Sequence, residues 1–191
     1  MDDVISRFDR PLTLISVFNI VYFTLKYFRD ASILDGAFAA PNSSPLGTVG
    51  IGITVKWNQV RHAPTQKLKL ISTFSNQVSI LRIFPGVFST LEQSIAPPLK
   101  GLILQTFGAG NGPDGDTYFL KTLREACARG LVIVNVTQCH KGCVEAHYAT
   151  GTALTEAGVV SGHDMTCEAA LVKLGWLLAK YPDNPEIVRS K

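Results

Sequence analysis

Two short apolar runs set one helix-length apart constrain this chain more than any other feature. The first is GLILQTF at 101–107 and the second LVIVNV at 131–136; both lack Pro, and a Gly-rich turn, GAGNGP, follows the first. Runs of that length bounded by glycine read as buried strands. Between them, over 116–129, Phe119, Leu120, Leu123, Ala126 and Cys127 recur at helical spacing, and Gly130 stops the helix. A strand–helix–strand crossover joins parallel neighbours, so the expected fold class is α/β, a small parallel sheet with flanking helices. In such sheets the loops leaving the carboxyl ends of the strands carry the chemistry. Those loops are 108–115, 137–144 and 162–166.

Further elements extend this frame to about four strands. Strand patterns are expected over 68–73 and 78–84, and Pro85-Gly86 breaks the second. A short helix over 88–96 leads to Pro97-Pro98, and another helix is expected over 147–157. Val159-Val160 reads as a last short strand. Asp164 is expected to cap a long helix with Glu168 in its first turns and Ala169, Ala170, Leu171, Leu174, Leu177 and Leu178 on its apolar face. Pro182 ends that helix, and Asn184-Pro185-Glu186 begins another in which the chain stops. Upstream, the apolar stretch 12–25 is too short for a bilayer span. Asp2, Asp3 and Asp9 precede it, unlike the positive end of a signal peptide. It reads as a strand or helix meant for burial. The Pro- and Gly-dense 39–50 reads as an extended loop, and 51–57 as a short strand.

A hydrophobic content of 46% against 17% charged residues indicates a globular protein. The net charge of +3 comes from scattered Lys and Arg, with no basic run, so no nucleic-acid partner is expected; nor is a membrane partner. Sparse cysteines (127, 139, 143 and 167) in an α/β chain suit free thiols in a reducing cytoplasm.

The blocks GAGNGP, RGLVIVNVTQC, YATG and AGVVSGHDMTCEAALVKL, in that order, resemble the carboxyl-terminal half of the cytoplasmic (type I) L-asparaginases. That family includes the asparaginase/lysophospholipase enzymes of animals. The match is dense over about 101–180 and thinner upstream. It implies an atypical amino-terminal segment with a remnant of the family's amino-terminal domain and linker over 1–66, and the carboxyl-terminal domain over 67–191. The implied activity is hydrolysis of L-asparagine to L-aspartate and ammonia, without a cofactor.

The family's nucleophile is a Thr in a TGGTI-like motif, assisted by a Thr-Asp pair in an HGTDT-like motif and by a Lys. A hydroxyl needs such a neighbouring base to attack. Neither motif occurs here, and no Thr-Asp pair exists in the chain. The chain is therefore expected to be inactive alone, engaging L-asparagine only when a full-length subunit completes it in a homo- or hetero-oligomer. The alternatives are a non-catalytic module that pairs with a full-length asparaginase, or an incomplete reading of an active enzyme's gene.

The resemblance also assigns positions. Tyr148, in YATG, matches a tyrosine that animal-type members lend to the neighbouring subunit's site; its bland alternative is a helix-packing aromatic. Asn111 matches the strand-end loop facing the same interface; by turn preference alone it is a residue tolerating left-handed backbone between glycines. Thr137 and Cys139 match positions that bind allosteric asparagine in bacterial members, where a strand arginine forks onto the carboxylate. Gln105 stands at that arginine's position, and a neutral amide cannot replace the contact. Cys139 is otherwise expected to be a small buried residue.

Other chemistries fare worse. Cys139-His140-x-x-Cys143, with His147 and His163 nearby, lacks a second ligand pair, so no zinc is expected. Ser161, His163 and Asp164 are sequence neighbours, which rarely converge as a triad. GAGNGP matches neither phosphate-loop pattern, so nucleotide binding is rejected.

Overall fold

The computed structural model describes residues 14–17, 20–23, 28–29, 38–49, 51–60, 73–113, 115–145 and 149–191. The chain divides into two compact units, Met1–Ser72 and Thr73–Lys191.

The described residues of the first unit form short strands and one 3-10 turn (Trp57–Gln59). β1 (Leu14–Val17) and β2 (Ile20–Phe23) form an antiparallel pair within the apolar stretch 12–25. β3 (Phe28–Arg29) pairs with β4 (Phe38–Ala39) in a separate two-stranded ribbon. Segment 39–50 is less loop-like than its composition suggests. A turn closed by Ser43 N–H to Ala40 C=O (3.0 Å) leads to β5 (Gly47–Val49). β5 pairs with β2 and with β6 (Ile53–Val55), giving the antiparallel order β1-β2-β5-β6.

The second unit is the α/β domain that the two apolar runs demand. β7 (Val78–Arg82), β8 (Gly101–Thr106), β9 (Val132–Thr137) and β10 (Val160–Ser161) make one sheet in that spatial order, every pair parallel. α1 (Phe88–Ser94), α2 (Thr117–Ala128) and α3 (Ala149–Glu156) form the successive crossovers. α4 (Cys167–Lys180) and α5 (Pro185–Arg189) follow β10. The strand expected over 68–73 falls outside the described residues except for Thr73, which is in no strand. α5 ends at Arg189 rather than running off the chain.

Alternation along the strands builds two cores. Leu102, Leu104 and Ile133 face Val87, Leu91 and Ile95 beside α1, Phe119, Leu123 and Ala126 on α2, and Leu154 on α3. Ile103, Val132 and Val136 face the other way, onto Ala170, Leu174, Leu177 and Leu178 of α4 and Val188 of α5. Phe119 and Leu123 are fully buried, each contributing about 1.5–3 kcal/mol. Among the described residues no helix is long and apolar enough to cross a membrane.

The helix ends follow local chemistry. Asp116 Oδ1 accepts the Phe119 N–H at 3.0 Å and starts α2. At the other end Gly130 adopts φ +96°, its N–H bonds Cys127 C=O, and Leu131 N–H bonds Ala126 C=O. α3 ends the same way at Gly158 (φ +91°), with Val159 N–H on Leu154 C=O. Glycine in the left-handed conformation thus turns each helix directly into the next strand.

The start of α4 corrects the sequence reading. Residues 162–165 are spent on a turn closed by Met165 N–H to Gly162 C=O, with His163 at φ +50°. The helix therefore begins later, and Thr166 caps it, its Oγ1 accepting the Ala169 N–H at 3.3 Å. Asp164 is not the cap. Glu168 does lie in the first turn.

Arg189 closes the domain. Its Nη2 donates to the carbonyls of Cys127 (2.7 Å) and Leu131 (3.0 Å), and its Nη1 pairs with Glu186. A cation there also complements the carbonyl end of α2. Burial pushes the Cys127 thiol above its ordinary range, and the nearby Arg189 charge opposes that shift. Replacing Arg189 by Ala removes both charge-assisted bonds and is expected to cost about 2 kcal/mol. Urea denaturation checks this; a midpoint unchanged from wild type would contradict it.

Candidate functional site

The carboxyl ends of β7 to β10 are tied to one another through side chains. Thr106, the last residue of β8, lies on the face that carries Leu102 and Leu104, and its hydroxyl donates to Asn135 Oδ1 at 2.6 Å. Asn135 Nδ2 donates in turn to Gly110 C=O at 3.2 Å. Both side chains are buried, at 0% and 3% exposure. Two residues further along β9, Thr137 Oγ1 donates to Gly108 C=O at 2.6 Å and accepts the Cys139 N–H at 3.0 Å. Gln138 Nε2 donates to the carbonyls of Ile83 (2.7 Å) and Gln105 (2.9 Å), clamping the ends of β7 and β8.

The loops are joined by backbone as well. Glu145 N–H reaches Ala109 C=O (3.1 Å), Val144 N–H reaches His163 C=O (2.9 Å), and Gly162 N–H reaches Asn135 C=O (2.7 Å). Ser161 Oγ donates to Val144 C=O and accepts the His163 N–H, both at 3.1 Å. Loops 108–113, 137–144 and 162–166 therefore form one interlocked surface.

Asn111 sits in that surface, half-buried, in the turn that GAGNGP makes. Phe107 and Asn111 exchange backbone bonds of 2.8 Å in both directions. The left-handed positions are Gly108 (φ +50°) and Gly110 (φ +107°), so Asn111 is not the residue that absorbs unusual backbone. Thr137 and Cys139 adjoin this turn through the Thr137–Gly108 bond. Cys139 is exposed, which overturns its expected burial: it lies two residues beyond β9, past the sheet's cover. Gln105 is at the end of β8, in register with Arg82 on β7 and Val136 on β9. An arginine thus does stand beside Gln105, on the neighbouring strand. Tyr148 and His147 lie outside the described residues.

The electrostatics favour anchoring over reaction. The Cys143 thiol donates to Glu145 Oε1 at 3.0 Å, and that bond holds it above its ordinary range. Burial pushes Cys167 up to about 11. All four cysteines are free thiols, and among the described residues no three His, Cys, Asp or Glu side chains gather as metal ligands. Ser161 and His163 meet only through the backbone N–H of His163, not through its imidazole.

Sequence reasoning missed Thr106, Asn135, Gln138 and Ser161 as organisers of this surface. For Thr106 and Asn135 the available signal was a polar residue at an inward position of a buried strand, where a partner is obligatory.

Comparison with known proteins gives a consistent picture. A family model described as the glutaminase/asparaginase C-terminal domain matches residues 77–190. The 60 kDa lysophospholipase of Homo sapiens is 46% identical over 146 residues, spanning 75% of this chain and 25% of the relative. The L-asparaginase of Dirofilaria immitis is 37% identical over 180 residues, spanning 90% of this chain and 30% of the relative. The crystal structure of L-asparaginase I from Vibrio cholerae superposes with a TM-score of 0.81 at 35% identity, covering 93% of this chain and 54% of that one. The chain thus spans between a quarter and a third of the length of these two curated relatives.

Proposed function

The chain belongs to the glutaminase/asparaginase family through its C-terminal domain, and from that premise we propose that it serves as the supporting half of an L-asparagine amidohydrolase, inactive alone. The observation that carries this reading is where the hydroxyls at the carboxyl end of the sheet send their protons. Thr106 donates to an amide oxygen, and Thr137 and Ser161 to backbone carbonyls. A carbonyl oxygen is not a base at neutral pH, so none of the three is an activated nucleophile. They hold loops instead. No cofactor is called for, since amide hydrolysis needs only water.

In this reading residues 1–66 are a remnant of the amino-terminal domain with its linker, and 67–191 the supporting domain. It acts in the cytoplasm as part of a homo- or hetero-oligomer. In this reading Asn111 of its loop surface, together with Tyr148, serves a full-length subunit's site, where a phenol can orient substrate. Phe84 and Phe107 support the pairing: at 54% and 43% exposure they rim this surface with apolar area of the kind that marks contacts. Gln105, Thr137 and Cys139 keep the place of an effector pocket but not its forked contact, so we propose no response to asparagine there.

The test has two arms. Purified chain assayed with L-asparagine is expected to release no ammonia above buffer; clear turnover would end the reading. Mixed with a full-length animal-type asparaginase, it is expected to co-migrate on size exclusion. Strictly separate elution would remove the pairing role and leave only the inactive domain.

A further inference from the structure

A cavity of about 360 Å³ opens at the other end of the parallel sheet. Lys100, just before β8, and Leu131, just before β9, both line it. The six residues of β8, about 20 Å at 3.3 Å per residue, therefore separate it from the Asn111 turn. Its walls are largely apolar, with Ile95, Leu99, Leu131 and Leu178 among them. That volume and lining fall at the small end of ligand sites, which are apolar with a few convergent polar groups.

The charges at its rim are under-used. Lys100 Nζ approaches Pro182 C=O, and Arg129 Nη2 approaches Ile95 C=O, each at 3.5 Å, the outer limit of a hydrogen bond. Neither cation has a carboxylate within ion-pair reach among the described residues. Asp183 is the lone acidic residue of the lining, so positive charge is in excess. Two cations beside an apolar wall match one anionic head on one short greasy tail. A guanidinium fits a carboxylate by its fork, and the ammonium adds a point charge. A phosphate would bring further negative charge beside Asp183 and leave the apolar wall uncovered.

We propose that this cavity binds a small monocarboxylate with a short apolar chain, its carboxylate between Lys100 and Arg129 and its chain against Leu99, Leu131 and Leu178. The site is independent of the pairing surface and of any reaction there.

Titration of the full chain with hexanoate, followed by NMR or calorimetry, tests it. The expected result is saturable binding in the millimolar range, weakened about tenfold, or about 1.4 kcal/mol, by Lys100→Gln and by Arg129→Gln. Lys100→Arg is expected to keep the affinity, which separates lost charge from lost fold. Hexylamine, with the opposite charge on the same chain, is expected not to bind. Absence of a saturable response, equal binding of hexylamine, or unchanged affinity in both glutamine variants would each overturn the proposal.

Discussion

Replacing Asn135 by leucine is expected to destabilise the chain by about 3 kcal/mol, although the two side chains are close in size. Asn135 is 3% exposed and makes two bonds that leucine cannot, accepting from Thr106 and donating to Gly110 C=O. The Thr106 hydroxyl keeps a long contact to Val136 C=O at 3.4 Å, so its loss is partial. The Gly110 carbonyl loses the bond that ties its turn to β9. Each buried polar group left short costs about 1–3 kcal/mol, which sets the total. Urea denaturation of Asn135→Leu measures it, and a loss under about 1 kcal/mol would contradict the account. The double variant with Thr106→Val sharpens the test. Removing both polar ends restores a matched apolar contact, so its cost is expected to fall below the sum of the single costs.

That pair also marks the limit of what the residues announce. The parallel sheet and its crossovers were legible because GLILQTF and LVIVNV have the length and apolarity of buried strands, with a helix-period segment between them. The loops at the carboxyl ends followed from that topology. What escaped was anything decided by partners distant in sequence. Asn135 reads as one polar residue in an apolar run until Thr106, 29 positions away, is placed beside it. Asp164 and Thr166 are both acceptable caps, and only the turn over 162–165 selects the later one. Asn111 and the glycines before it share a tolerance for left-handed backbone, and the structure gives that conformation to Gly108 and Gly110. In the first unit, Pro and Gly suggested loop, but β5 finds partners in β2 and β6 and becomes a strand.

The same interlock makes Gly110 the most demanding glycine of the surface. Its φ of +107° strains any residue with a Cβ, at about 1–2 kcal/mol. A Cβ there would also lie 2.6 Å from Val144 Cγ1 and 3.3 Å from Asn135 Nδ2. Val144 has little room to yield. It is 4% exposed, its N–H is held by His163 C=O and its C=O by the Ser161 hydroxyl. Overpacking against so fixed a neighbour adds about 1–3 kcal/mol. Gly110→Ala is therefore expected to cost about 2–5 kcal/mol in all, read by urea denaturation. Gly112 is the matched control two residues on. It has ordinary backbone, and the nearest atom to an added Cβ is 3.5 Å away, so Gly112→Ala is expected to leave stability nearly unchanged. Since the turn carries Asn111, Gly110→Ala is also expected to abolish co-migration with a full-length asparaginase, while Gly112→Ala preserves it. Equal behaviour of the two variants in both measurements would mean that this turn is neither rigid nor part of the pairing surface.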